Sequence, residues 1–161
     1  MKKAAAIILC AAGLVASPAW AAKPAACKAS AEASRALVLK FYEQALLKKQ
    51  PRLAFERYVS PTFVEHKQDV ATGTREGVVM FLEGLISKLP AAKWEVLRTV
   101  AEPKLVFLHA SFVPAPGALP YAIADIFRVE NCKIVEHWDI VAPPRTASGD
   151  NSASGKSDSD T

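Results

Sequence analysis

The chain has 161 residues, of which 51% are hydrophobic and 22% are charged. This length suits one ordinary domain, and the high hydrophobic content excludes an intrinsically disordered chain. The 20 basic and 16 acidic residues give a net charge of +4, which is too small and too evenly spread for a nucleic-acid-binding protein.

The first 21 residues have the three parts of a secretory signal peptide. Two lysines near the start precede an apolar run over residues 4–16, and Ala19 and Ala21 provide the small residues of a cleavage site. The apolar run is shorter than the roughly 20 residues that a membrane-spanning helix needs. We therefore expect residues 1–21 to be removed on export, leaving no stable membrane anchor and a protein that is periplasmic or secreted.

The remainder of the chain is expected to form one domain between two short ends. Residues 22–29 form an N-terminal segment, and residues 30–142 form the domain, which has no internal repeat or linker. After Pro143 and Pro144 the composition changes to small polar residues, with no large apolar side chain to anchor them to a core. Residues 143–161 are therefore predicted to be a disordered tail.

Three helices are predicted in the first half of the domain. Apolar residues recur with helical spacing over residues 30–49, and Pro51 suits the first turn of a second, shorter helix that Pro61 ends. After a short extended segment and a polar loop, Thr74 can cap a third helix that Pro90 ends. The buried face of this third helix is expected to consist of Val78, Phe81, Leu82, Leu85, Ile86 and Leu89.

The chain after Pro90 has the composition of β-strands. Four segments rich in β-branched and aromatic residues are separated by turn signals, and they cover residues 94–101, 105–113, 121–129 and 133–141. Three helices followed by a meander of four long strands predict an α+β fold. An antiparallel sheet that curls around the helices would leave a small-molecule pocket between the two layers.

The last predicted strand carries a histidine and an acid that share one face. Because side chains alternate along a strand, His137 and Asp139 point to one side, and Trp138 points to the other. Removing a proton next to a carbonyl group needs a base and a donor for the resulting enolate oxygen. Asp139 is a candidate base, with His137 as the donor or orienting group. The alternative is a structural His–Asp hydrogen bond at the sheet edge.

The preceding strand carries a second candidate base. Asp125 shares its predicted face with Tyr121 and apolar residues, and an acid on such a face is costly to bury unless it is paired or used. The alternative is a hydrogen bond to a backbone N–H, or to Arg98 or Arg128. Tyr121 and Trp138 are expected to contact the substrate, although Trp138 also suits the core or a dimer contact.

The remaining histidines are further candidates for substrate binding. His66 follows the short extended segment, and His109 lies in the middle of a strand, where a core role is the alternative. No His-x-x-x-His or Cys-x-x-Cys spacing occurs, so no metal site is expected. No glycine-rich phosphate loop occurs either, so we expect no cofactor.

Cys27 and Cys132 are the two cysteines that remain after removal of the signal peptide. An exported protein meets an oxidising compartment. A disulfide between the N-terminal segment and the predicted hairpin turn would close a loop of roughly a hundred residues and stabilise the fold by several kcal/mol. Two unrelated free thiols are the alternative.

The segment from Asp125 to Asp139, DIFRVENCKIVEHWD, is the most specific stretch of the sequence. It resembles the last hairpin of the SnoaL-like proteins in the NTF2-like superfamily. The run RYVSPTFVEH, which ends at His66, matches the same group. The resemblance covers about residues 34–142, with one departure: the family usually has Gly after the Asn of the turn, where this chain has Cys132. That Gly supplies a positive φ, so its loss favours another role for the position, such as the disulfide.

This resemblance implies an NTF2-like cone, in which three N-terminal helices pack on a curved antiparallel sheet of about four long strands. It implies a cofactor-free acid/base enzyme, such as an aldol-type cyclase, isomerase or dehydratase, acting on a small apolar carbonyl compound. A non-catalytic ligand-binding module is the main alternative, and a structural dimer is a third. The resemblance also implies a homodimer, and it places the acid/base aspartate of the cyclases at Asp139.

Mass spectrometry of the exported, unreduced protein tests the processing and the disulfide. We expect an N-terminus at Ala22 and a mass lower than that of the fully reduced chain by two hydrogen atoms, which a bridge between Cys27 and Cys132 would remove. Two thiols that react with an alkylating reagent without prior reduction would contradict the disulfide.

Overall fold

The computed structural model describes residues 29–144. The predicted signal peptide, Cys27 and residues 145–161 of the predicted tail lie outside this range. The described elements are, in chain order, α1 (Ala31–Tyr42), α2 (Pro51–Tyr58), β1 (Val59–Glu65), α3 (Arg75–Lys88), β2 (Lys93–Ala101), β3 (Leu105–Val113), β4 (Tyr121–Glu130) and β5 (Lys133–Ala142). Within the described range, the helices are all too short or too polar to cross a membrane.

Helices α1 and α3 begin where the sequence provides caps. Ser30 accepts a hydrogen bond from the backbone N–H of Ala33 before α1, and Thr74 accepts one from Gly77 before α3. Such caps satisfy N–H groups that have no partner inside the helix. The first helix is shorter than predicted, because its end widens into a π-helical turn over Glu43–Leu47.

The sheet has five strands in the order β1-β5-β4-β3-β2. The four long strands pair antiparallel as predicted. The short extended segment is part of a fifth strand, β1, which pairs parallel with β5. The expectation of about four strands in a wholly antiparallel sheet therefore needs this correction. Since β5 lies between β1 and β4, its side chains have neighbours on both sides.

The core lies between the helices and the inner face of the sheet. Along β3, Val106 and Leu108 are buried, whereas Leu105 and Phe107 alternate with them on the exposed outer face. Phe41 of α1 packs edge-to-face against ring systems on α2 and β4, an arrangement that aromatic quadrupoles favour. These contacts hold the helical layer on the sheet.

Helix α3 is less buried than the sequence predicts. Val78 and Val79 are buried, but Phe81, Leu82 and Leu85 are only partly buried. These three side chains line a cavity between α3 and the sheet. The apolar face of α3 therefore faces an open space as well as the core.

A pair of leucines on β3 tests which face of the sheet carries the core. Leu108 is 0% exposed and Leu105 is 40% exposed. Leu108→Ala is expected to lower the free energy of unfolding by about 2–5 kcal/mol, because it leaves a cavity. The control Leu105→Ala should cost less than about 1 kcal/mol. Urea unfolding measures both, and equal losses would contradict the assignment of faces.

Candidate active site

A cavity of about 280 Å³ lies between the helices and the inner face of the sheet. Its walls are mostly apolar, and the aromatic rings among them come from Phe41, Tyr42, Phe55, Phe63, Phe81, Trp94, Phe112, Tyr121 and Phe127. Concave, largely apolar spaces with a few convergent polar groups are typical small-molecule sites. The cavity therefore suits an apolar ligand.

The charged groups of the cavity come from three strands and one loop. They are Glu65 on β1, Asp125 on β4, His137 and Asp139 on β5, and Lys67 and Asp69 in the loop before α3. The strand residues point inward because of the alternation along each strand. The cavity thus combines apolar walls with a cluster of acids and bases.

His137 lies between two buried carboxylates. Its Nδ1 is 2.9 Å from Glu65 Oε2, and its Nε2 is 3.1 Å from Asp125 Oδ1. The side chains of Glu65, Asp125 and His137 are 1%, 8% and 14% exposed. Glu65 is the direct neighbour of His137 on β1, and the ring of Phe127 stacks on the imidazole at 4.5 Å. The imidazole is therefore held on both nitrogens and on one face.

The two carboxylates keep His137 protonated. Burial alone would lower the pKa of His137, but the hydrogen bonds to Asp125 and Glu65 outweigh it and raise that pKa to about 10. Burial also raises the pKa of Asp125, against the opposing effect of the His137 charge. At neutral pH His137 is an imidazolium that donates from both nitrogens, so it is not the base of this site.

Asp139 is paired with a lysine of the loop. Lys67 Nζ lies 2.8 Å from Asp139 Oδ2 and 3.2 Å from Asp69 Oδ2, and it is 5.8 Å from the centre of the Phe81 ring. Burial acts to lower the pKa of Lys67, but the hydrogen bonds and charges of Asp139 and Asp69 together outweigh it and raise that pKa. The His–Asp hydrogen bond considered for β5 does not link His137 to Asp139. His137 bonds instead to Asp125 of the neighbouring strand. Arg128, one expected partner of Asp125, pairs with Glu130 and Glu136.

Tyr42 contributes a hydroxyl group beside Asp125. This hydroxyl is buried and has no hydrogen bond of normal geometry within the described range. Burial and the nearby Asp125 carboxylate raise the pKa of Tyr42, so the hydroxyl stays protonated. It is a donor that a ligand oxygen can use.

The other residues expected at the site have different positions. Tyr121 lines the cavity. His66 stacks on Trp138 at 4.6 Å on the outer face of the sheet, where its Nε2 lies 2.8 Å from Glu136 Oε1. His109 is on the same outer face as Phe107, by the alternation along β3. These three residues do not line the cavity, so their expected contact with substrate has no support in this arrangement.

The turn between β4 and β5 has the positive-φ backbone conformation that glycine favours, although this chain has Cys132 at the position where the family usually has glycine. Asn131 and Cys132 both have a positive φ, of 49° and 57°, as a tight hairpin turn requires. Because Cys27 lies outside the described residues, its disulfide with Cys132 stays a prediction.

Sequence reasoning missed Glu65, Lys67 and Tyr42 as site residues. The signal for Glu65 was present, because Phe63 lies two positions earlier and a buried Phe63 places Glu65 on the inner face. The same alternation turns His66 outward. Among the described residues, no cluster of His, Cys, Asp or Glu has the arrangement of a metal site.

The pKa of His137 makes the stability of the fold depend on pH. The unfolded chain has the ordinary value of 6.5 and the folded chain has about 10, so the stabilisation is complete below pH 6.5. It is lost as the pH rises to 10, by an amount on the order of a few kcal/mol. Chemical denaturation across this range measures the loss. His66→Gln should retain it and His137→Gln should remove most of it; a flat wild-type profile would contradict the buried imidazolium.

Comparison with known proteins agrees with this fold. A family model described as a SnoaL-like domain matches residues 38–137, and no curated protein is significantly similar to the sequence. Among solved structures, IdmH from Streptomyces antibioticus, described as a polyketide cyclase, is 20% identical with a TM-score of 0.56, over 66% of this chain and 90% of IdmH. AclR from Streptomyces galilaeus, described as a hydroxylase, is 21% identical with a TM-score of 0.57, over 70% of this chain and 81% of AclR.

A protein from a Jannaschia species, described as a SnoaL-like polyketide cyclase, is 16% identical with a TM-score of 0.57, over 69% of this chain and 86% of that one. At these identities the structural likeness shows the fold alone, which is the predicted NTF2-like α+β cone. The family model covers more than half of the sequence. The chain therefore belongs to the family of proteins with a SnoaL-like domain.

Proposed function

We propose that the protein is an acid/base enzyme of the cyclase or isomerase type that acts on a small apolar carbonyl compound. The observation that carries this proposal is the His137 imidazolium, held between Glu65 and Asp125 in a cavity with aromatic walls. Charged groups in an apolar cavity interact more strongly than they do in water. Paired groups with displaced pKa values are typical of acid/base sites.

Asp125 is the base in this proposal. One of its oxygens, Oδ1, accepts the hydrogen bond from His137, which leaves Oδ2 to take a proton from the carbon next to a carbonyl group. Burial raises the pKa of Asp125, which makes its carboxylate a stronger base. Asp139, the first candidate from the sequence, is instead tied to Lys67.

The electron pair released by this proton transfer moves to the carbonyl oxygen and forms an enolate. A donor aimed at that oxygen stabilises the negative charge, and the Tyr42 hydroxyl, which lies beside Asp125, is that donor in this proposal. In a cyclase, the enolate carbon then attacks a second carbonyl carbon, and the oxygen of that carbonyl takes the proton back from Asp125. In an isomerase, the proton returns from Asp125 to another carbon. The aromatic walls exclude water from either step.

Ligand binding without chemistry is the second candidate function. It is favoured by the pairing of the acids: Asp125 and Glu65 are bound to His137, and Asp139 is bound to Lys67. Acids that are neutralised in this way can orient a ligand and yet be too weakly basic to take a proton from carbon. This alternative uses the same cavity.

The proposal includes export and assembly. The signal-peptide pattern over residues 1–21 and the pair of cysteines support a periplasmic or secreted protein with a disulfide. Exposed Leu105, Phe107 and Ile140 on the outer face of the sheet support a homodimer through that face.

Hydrogen–deuterium exchange at carbon tests for the base without knowledge of the natural substrate. The probe is 2-tetralone in D2O, and NMR measures the loss of its α-protons above the buffer rate. Asp125→Asn is expected to lower the enzymatic rate by about 100-fold or more, because an amide cannot accept the proton. The control is Glu136→Gln, which removes an acid from the outer face and should leave the rate unchanged.

The results separate the candidates. A loss in Asp139→Asn with none in Asp125→Asn would move the role of base to Asp139. Probe binding, seen as a thermal shift, without any exchange would favour the binding module over the enzyme.

A further inference from the structure

Glu65 is the most buried charged side chain of the cavity cluster, and the proposed proton transfer does not use it directly. Both of its carboxylate oxygens face His137, with Nδ1 at 3.0 Å from Oε1 and 2.9 Å from Oε2. Oε1 also accepts a hydrogen bond of 2.9 Å from the backbone N–H of Lys67. A carboxylate with 1% exposure is costly to bury unless such donors compensate for the lost water.

We propose that Glu65 is a positioning residue, which holds the charged ring of His137 so that Nε2–H points at Asp125 and keeps Asp125 an ionised base. This inference rests on the proposed function. Glu65 acts through His137 and needs no contact with the substrate.

The geometry explains why a second carboxylate is needed. A buried imidazolium with Asp125 as its only partner can pass its proton across, which gives a neutral pair that costs less in an apolar site. Asp125 would then be protonated and inactive as a base. With Glu65 on the other nitrogen, the charge on the ring is stabilised from both sides, and the proton stays on His137.

The other groups around His137 do not replace Glu65. Asp139 lies two residues away on β5 and is neutralised by Lys67 of the loop. Tyr42 of α1 faces Asp125 and is a neutral donor. Phe127 of β4 contacts only the face of the ring. Glu65 of β1 is therefore the second anion that bonds directly to the imidazole.

The outer face of the same two strands provides a matched control. There, His66 at the end of β1 is bonded to Glu136 of β5, at 2.8 Å. The pair has the same chemistry as Glu65 and His137, but it is more exposed, at 37% for His66 and 18% for Glu136. Glu136→Gln thus removes an equivalent carboxylate without touching the cavity.

The test combines NMR titration of the histidine rings with the pH profile of 2-tetralone exchange. The protein has three histidines, so each ring signal is assigned by one substitution. Glu65→Gln is expected to lower the pKa of His137 by at least one pH unit. The same substitution should lower the pH above which the exchange rate falls, because His137 loses its proton earlier. It should also reduce the maximal exchange rate about tenfold. Glu65→Asp, which keeps the charge, should restore part of each change, and Glu136→Gln should alter neither.

The titration needs no substrate, so it decides the role of Glu65 even if the chain proves inactive. Absence of exchange in the wild type would refute the proposed enzyme, whereas the His137 titration would still report on its partner. A folded Glu65→Gln protein with an unchanged His137 titration would overturn the positioning role. If that variant does not fold, Glu65→Asp takes its place, and an unshifted His137 pKa with an unshifted exchange profile would likewise overturn it.

Discussion

The parallel pairing of β1 with β5 is the contact on which the candidate site depends. It adds a strand beyond the antiparallel meander and brings Glu65 level with His137. Without β1, His137 would lie on an edge strand with Asp125 as its one carboxylate partner. With β1 in place, the imidazole lies between two acids and is mostly buried, so water screens the charges less than it would at the surface. The charge state of the site is thus a consequence of sheet topology.

The cavity and the core compete for the same apolar side chains. Phe81, Leu82 and Leu85 of α3 have the spacing of a buried helix face, yet they remain partly exposed because they border the open space. Close packing there would remove the binding space and gain stability. The fold is instead held by tightly buried side chains that do not line the cavity, such as Val38, Val106 and Leu108.

Local patterns predicted the helices, the four long strands and the inward face of Asp125 and His137, because caps, turns and side-chain alternation are properties of neighbouring residues. Partners across the sheet were harder to predict. The link from Asp139 to Lys67 depends on how the loop before α3 folds over the cavity. The link from His137 to Glu65 depends on pairing between strands about 70 residues apart in the sequence. No local pattern specifies either contact.

The two strands that pair in parallel carry the same three residues where they meet: Val64-Glu65-His66 at the end of β1 and Val135-Glu136-His137 in β5. In the observed register, each histidine bonds to a glutamate of the other strand, one pair inside and one outside. A slip of one residue in one of the two directions would place His66 beside His137 and Glu65 beside Glu136. Neighbouring like charges repel, and Phe63 would turn from the core to the solvent. The repeated Glu-His dipeptide therefore favours the observed strand alignment over this slip, which would replace both histidine–glutamate pairs and bring two glutamates together.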